Sequence, residues 1–203
     1  MKKAYLSLLI VLLCLSMFGC ADRNGDGHVN KGDAVAVFVN GEPIYETDIK
    51  KVIEYNAEAK YEQVLSDTID DTLLFQYGIA HGISVSENEV DERLLEIKTS
   101  VPDIYKDIEE SANFEKYKVN LKKIMIISKV KEAYLKEHDA QLHISDKEIS
   151  SWYEEKLNKP FPGTDIVKES VYNTLYEEKC NALIESFIAE LKANAEIIFE
   201  RSE

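Results

Sequence analysis

From Tyr45 to Asn194 the apolar residues of this chain recur at spacings of three and four, with little to interrupt them. The 203 residues include only eight glycines and four prolines, so few positions force a turn or forbid a helix. Such a stretch folds as a succession of amphipathic helices. The spacing predicts a first helix starting near Tyr45–Thr47 and running through Ile49, Val52 and Ile53, and a second carrying Val64, Leu65, Ile69, Leu73, Leu74 and Tyr77 that stops near Gly82. The segment "ISVSENEVDERLLEIK" opens with Ser86-x-x-Glu89, a capping box, and sets Val90, Leu94 and Ile97 on one face, with Pro102 expected to close it. A long helix is expected from about Asn113 to Lys136, with Phe114, Tyr117, Leu121, Ile124, Met125, Ile127, Val130 and Leu135 apolar. A second capping box, Ser145-x-x-Glu148, starts a helix through Ile149, Trp152 and Tyr153 that "NKPFPGTD" breaks. The last helix spans about Asp165 to Asn194, with Val167, Val171, Leu175, Cys180, Leu183, Phe187 and Leu191 facing inward. No internal repeat or low-complexity block appears.

Strands fit only at the two ends. Ala34–Val39 is β-branched and runs into Asn40-Gly41, which reads as a tight hairpin, and Pro43 confines the return strand to a short edge. Ile197-Ile198-Phe199 follows the last helix and suits a short strand. A strand at each end of a helical chain predicts that the termini pair in one small sheet. The fold class expected is mainly α, with a small sheet formed by the N-terminal hairpin and the C-terminal strand.

The first residues, "MKKAYLSLLIVLLCLSMFGC", have basic Lys2 and Lys3 ahead of a segment, Ala4 to Phe18, that is apolar apart from two serines. That run is short for a bilayer span and has the layout of a secretory signal. Gly19-Cys20 at its end resembles the lipobox of bacterial lipoproteins, although Met17 and Phe18 depart from the usual residues there. The expected organisation is a leader over 1–19, lipidation of Cys20, a tether over 20–33 and a helical module over 34–203. Cleavage before Cys20 removes Cys14 and leaves Cys180 as the one free thiol, so no intrachain disulfide is expected. It also removes two lysines, moving the formal charge from -14 to -16. So acidic a surface argues against nucleic acid as a partner and against a polybasic grip on anionic lipid.

The tether contains "DRNGDGHVNKGD". Its oxygen ligands would be Asp22, Asn24, Asp26, the His28 carbonyl, Asn30 and Asp33, with Gly27 at the sharp turn, which is the spacing of a calcium loop. The spelling looks most like one repeat of a dockerin. A dockerin resembles two such repeats, and here a strand follows a single copy, so cohesin docking is not expected. One weak Ca2+ site, in the range of about 0.1–1 mM, is the expectation, against a plain polar linker.

Positive signs of an enzyme are missing. His28, His81, His138 and His143 stand at no metal-ligand or triad spacing and read as loop or solvated histidines. Cys180 falls on the apolar face of the last helix and reads as a buried thiol. Serine-nucleophile frames and glycine-rich phosphate cradles are absent from the sequence. The aromatic residues Tyr105, Phe114, Tyr117, Trp152, Tyr153, Phe161, Tyr172 and Tyr176 all fall in the helical region and read mainly as core.

Four segments in order carry a family likeness. "AVAVFVNGEPIYETDIKKVIE" resembles the opening of the SurA and PrsA chaperones, extracytoplasmic relatives of the trigger-factor chaperone module, with Val39 to Ile44 matching their Val-Asn-Gly-Glu-Pro-Ile run. "LSDTIDDTLLFQYGIAHGISVSENEVDERL", "ISDKEISSWYEEK" and "VKESVYNTLYEEKCNALIESFIAELKANAEI" resemble the segments that follow in that family. Tyr45 stands where family members often have a Thr that caps the first helix. In that family a parvulin prolyl-isomerase domain commonly sits between the last two segments, whereas here only "EEKLNKPFPGT" separates Tyr153 from Asp165. The resemblance therefore implies a SurA N-terminal-like chaperone fold without isomerase chemistry. It implies a lipid-anchored module at the outer face of the cytoplasmic membrane that binds unfolded or partly folded exported polypeptides. The alternative is a calcium-dependent structural or interaction lipoprotein holding one dedicated partner. A degenerate isomerase with trace activity is a third reading.

Overall fold

A computed structural model describes residues 33–200. Strand β1 (Val35–Val39) turns through Asn40-Gly41 into β2 (Glu42–Tyr45), and seven α-helices follow: α1 (Glu46–Tyr55), α2 (Tyr61–Ala80), α3 (Glu87–Ser100), α4 (Pro102–Glu109), α5 (Phe114–Glu137), α6 (Asp146–Leu157) and α7 (Asp165–Ala193). A short 3-10 helix, Asp139–Leu142, lies between α5 and α6, and β3 (Ile197–Phe199) ends the described chain. The fold is thus mainly helical with one three-stranded antiparallel sheet, ordered β2-β1-β3. As the sequence predicts, the termini of the module pair: Val37, Phe38 and Val39 stand opposite Phe199, Ile198 and Ile197.

Two local expectations change. Pro102 does not merely close α3; it opens α4 as its first residue. A proline lacks only an N–H that the first turn leaves without an intrahelical partner, so it can start a helix as readily as stop one. Tyr45 precedes α1 without a side-chain cap, and the Glu46 N–H is taken instead by the Ala34 carbonyl at 2.9 Å.

The chain divides into two compact units, one from the described residues up to Val130 together with those from Lys192 onward, the other Lys131–Leu191. In the first unit Val85, Val90, Leu94, Ile97, Tyr105, Tyr117, Leu121 and Ile126 form one buried cluster. Gly78 lets α2 and α5 approach closely there, because a Cβ on it would meet Cγ2 of Ile126 and Cγ2 of Val130 at 2.8 Å each. In the second unit Ile144, Ile149, Val171 and Leu175 are buried, with Trp152, Tyr153, Phe161 and Val167 packed around them.

Both capping boxes form, and each recruits a lysine from a neighbouring helix. Lys129 donates to Glu89 and to the Ser84 carbonyl (3.0 Å), while Lys179 donates to Glu148 (2.9 Å) and to the His143 carbonyl (2.6 Å). In each case the residue before the capping serine (Val85, Ile144) and the one four after it (Val90, Ile149) are buried, a hydrophobic staple. Glu89 and Glu148 are held down at about 2, first by their lysine and then by the backbone and hydroxyl of Ser86 and Ser145.

Candidate functional site

The second unit leaves part of an apolar stripe uncovered. Along α7, Tyr172, Tyr176, Cys180, Leu183 and Phe187 follow at spacings of four, four, three and four, so they share one face. At the C-terminal end that face is closed. Phe187 is buried and stacks on Tyr134 of α5 at 4.1 Å between ring centroids with 8° between planes, and Tyr134 stacks in turn on His138. Leu183 and Cys180 are half-buried. At the other end Tyr172 and Tyr176 remain 40% and 39% exposed, their rings near parallel (13°) with centroids 6.3 Å apart. Cys180 beside it is the main cause that raises the Tyr176 hydroxyl above its ordinary pKa, with burial, Asp139 and Tyr172 adding to the effect. The phenol therefore stays neutral, an apolar ring with one polar edge.

Another side of α7, that of Val171 and Leu175, is covered by aromatic residues of the same unit. Trp152 donates from Nε1 to Glu178 at 3.1 Å, which fixes the indole against α7. Tyr153 and Phe161 meet edge to face at 5.5 Å, and the Phe161 N–H donates to Glu154 Oε1 at 3.3 Å. Residues 158–164 make the α6–α7 connection, with Asn158 (φ 49°) in the left-handed conformation that ends α6. Ile166, at the start of α7, is 82% exposed. What Tyr172 and Tyr176 offer is uncovered aromatic area, which suits burial of apolar segments of varied sequence.

The remaining sequence-predicted residues are placed as follows. Tyr105 and Tyr117 are core, and Phe114 packs on it. Cys180 is half-buried rather than fully buried. His81 follows α2 and stacks on Tyr77 at 3.8 Å, His138 lies just after α5, and the His143 carbonyl accepts from Lys179. Asp33 accepts a hydrogen bond from the Thr47 hydroxyl at 3.3 Å. The other five loop positions, Asp22, Asn24, Asp26, His28 and Asn30, lie outside the described residues, as do Cys20 and the apolar segment before it. Among the described residues no group of three or more His, Cys, Asp or Glu is placed to hold a metal ion, and no helix is long and apolar enough to cross a membrane.

Sequence reasoning assigned Asn40 to the hairpin and nothing more. Its backbone is left-handed (φ 51°), and its side chain donates to Gln76 Oε1 at 2.8 Å and accepts from the Glu196 N–H at 2.9 Å. Gln76 donates in turn to the Val39 carbonyl and to Glu42, both at 3.0 Å. One turn residue thus joins the hairpin, α2 and the C-terminal strand.

No family model and no curated protein matches this chain. A solved structure does, from work describing the virulence factor PEB4 and the periplasmic protein Cj1289 as two structurally related SurA-like chaperones of the human pathogen Campylobacter jejuni. It aligns with a TM-score of 0.61 and 15% identity, over 83% of this chain and 100% of that one, so the chain shares the fold of a SurA-like chaperone.

Proposed function

We propose that this protein is a lipid-anchored extracytoplasmic chaperone-like module that captures unfolded or partly folded exported polypeptides, without ATP and without prolyl isomerisation. The observation that carries the reading is the α7 stripe, which is core at Phe187 and open at Tyr172 and Tyr176. An incoming apolar segment completes there the burial that Tyr134 completes at the other end. At about 25 cal/mol per Å2 of apolar area removed from water, a few exposed aromatics give the modest affinity that lets a client leave again. The shared fold supports the same reading. The anchor at Cys20, and a tether over 20–33 able to hold one calcium ion, complete it.

The test is suppression of aggregation of a chemically unfolded protein by the mature chain at equimolar amounts. Suppression is expected, and Tyr172→Ser with Tyr176→Ser should weaken it about threefold or more with helix content unchanged. No effect of the wild-type chain on aggregation would end the proposal. Acceleration of a proline-limited refolding reaction would contradict the isomerase-free mechanism. If instead a single folded protein is retained, and only with calcium, the dedicated-partner reading replaces it.

A further inference from the structure

We infer that the outer edge of β3 is a second binding element, one that takes an extended, neutral-to-basic polypeptide segment as a fourth strand of the sheet. The occupant's chemistry rests on the proposed function, whereas the edge itself is read from the backbone.

In the ordering β2-β1-β3 the two outer strands have one unpaired side each. The Glu196 carbonyl accepts from the Asn40 N–H at 2.8 Å and the Glu200 N–H donates to the Ala36 carbonyl at 3.1 Å. Backbone direction alternates along a strand, so Ile198 faces β1 while the N–H and C=O groups of Ile197 and Phe199 point away from the sheet. Among the described residues no strand pairs with them. At the opposite edge Pro43 sits opposite Phe38, whose partner in β3 is Ile198, so the outward position of β2 is held by a residue with no N–H to give. One edge is blunted and the other is not.

Side chains point the same way. Phe199 is 60% exposed on the face that carries Val37 and Val39, and Ile198 is 50% exposed on the opposite face. An added strand would cover both. The edge is held ready, because Asn40 grips Glu196 through both its backbone and its side chain. Charge selects the occupant. Exposed Glu196 and Glu200 flank β3, and the chain carries a formal charge of -14, so a second copy meets like charge while a segment with Lys or Arg at its ends meets opposite charge. Two outward residues offer two donors and two acceptors, a short ladder suited to fast release.

The experiment uses the mature chain and a soluble peptide, Lys-Val-Thr-Val-Thr-Val-Lys, with versions N-methylated on one or the other set of alternate residues. Hydrogen exchange at the Ile197 and Phe199 amides should slow about tenfold in the presence of peptide. One methylated register should bind about tenfold more weakly, and the other within about threefold of the parent. Phe199→Pro removes an outward donor without touching a β1–β3 bond and should abolish the effect, whereas Phe199→Ala should retain most of it. Should the proline variant disturb β3, the two methylated peptides against wild-type protein decide alone. Equal binding of both registers, unchanged exchange at Ile197 and Phe199, or a wild-type dimer that Phe199→Pro dissociates would each overturn the inference. If aggregation is suppressed while exchange is unchanged, only the fourth strand fails. Slowed exchange without suppression leaves the edge standing and removes the chaperone reading.

Discussion

Replacing Gly78 by alanine sets two known effects against each other, and the geometry decides the sign. Gly78 lies inside α2, where alanine is favoured by about 1 kcal/mol through backbone entropy alone. Against that, the new Cβ would lie 2.8 Å from Cγ2 of both Ile126 and Val130, where carbon atoms in contact prefer about 3.5–4.0 Å. Both neighbours are β-branched, with χ1 nearly fixed in a helix, and both are buried, so neither methyl has a free direction in which to yield. Overpacking of this kind costs about 1–3 kcal/mol; with two buried, fixed methyls in the way the cost falls in the upper part, about 2–3 kcal/mol, and subtracting the propensity gain of about 1 kcal/mol leaves a net loss of about 1–2 kcal/mol in the first unit. Urea unfolding followed by far-UV circular dichroism, with hydrogen exchange at α2 and α5 amides, should show it. Trp152 fluorescence reports the second unit and should change little. Val130→Ala removes one of the two offending methyls, so the double variant should be more stable than the sum of the single changes by about 1 kcal/mol. If Gly78→Ala is as stable as wild type or more so, the close α2–α5 crossing is wrong and propensity alone governs the site.

Asn40→Ala should cost about 1–3 kcal/mol, since it strips two side-chain hydrogen bonds and places a less suited residue at φ 51°; exchange at the Ile198 and Glu200 amides, which face β1, should rise before that of α2. Glu148 titrates at about 2 in the folded chain against an ordinary 4.5, so its contribution is complete above about pH 4.5 and is lost as pH falls toward 2. Glu148→Gln should therefore flatten the acid limb of second-unit stability in that window, read by Trp152 fluorescence, and an unchanged limb would contradict the lysine-clamped cap. For the tether, calcium titrated into the mature chain should give heats that Asp26→Ala abolishes, with a dissociation constant of about 0.1–1 mM; identical null heats would leave a plain polar linker.

Most of the fold was legible because its signals are local. Two capping boxes, two apolar stripes of long helices and an Asn-Gly turn each specify their own segment, and the structure places them where the spacing does. The pairing of the termini was legible for a different reason: in an otherwise helical chain, a strand at each end has only the other to pair with. The role of Pro102 was not, because the same residue that stops one helix fits the first turn of the next. Nor were the lysine clamps. Lys129 and Lys179 stand 40 and 31 residues from the glutamates they meet, and no sequence period connects them.

The candidate site was hidden by the regularity that made the helix visible. Spacing alone gives Tyr172, Tyr176, Cys180, Leu183 and Phe187 one face and predicts one fate for it. Whether a face is core or surface depends on how far the covering element extends, and α5, which supplies Tyr134 to cover Phe187, ends at Glu137. That boundary belongs to another part of the chain. The sequence did hold a signal, in the kind of residue rather than its position. The stripe passes from Leu183 and Phe187 to two tyrosines, and a phenol can leave one edge in water while burying its ring, which a leucine cannot. The same reasoning separates the two edges of the sheet. Pro43 marks its edge as closed wherever it falls, whereas Ile198 and Phe199 read as core until the strand order puts them at the rim. A chain built to bury every apolar residue would carry charge or proline in place of Tyr172 and Tyr176 and of Ile198 and Phe199, and this one carries neither there.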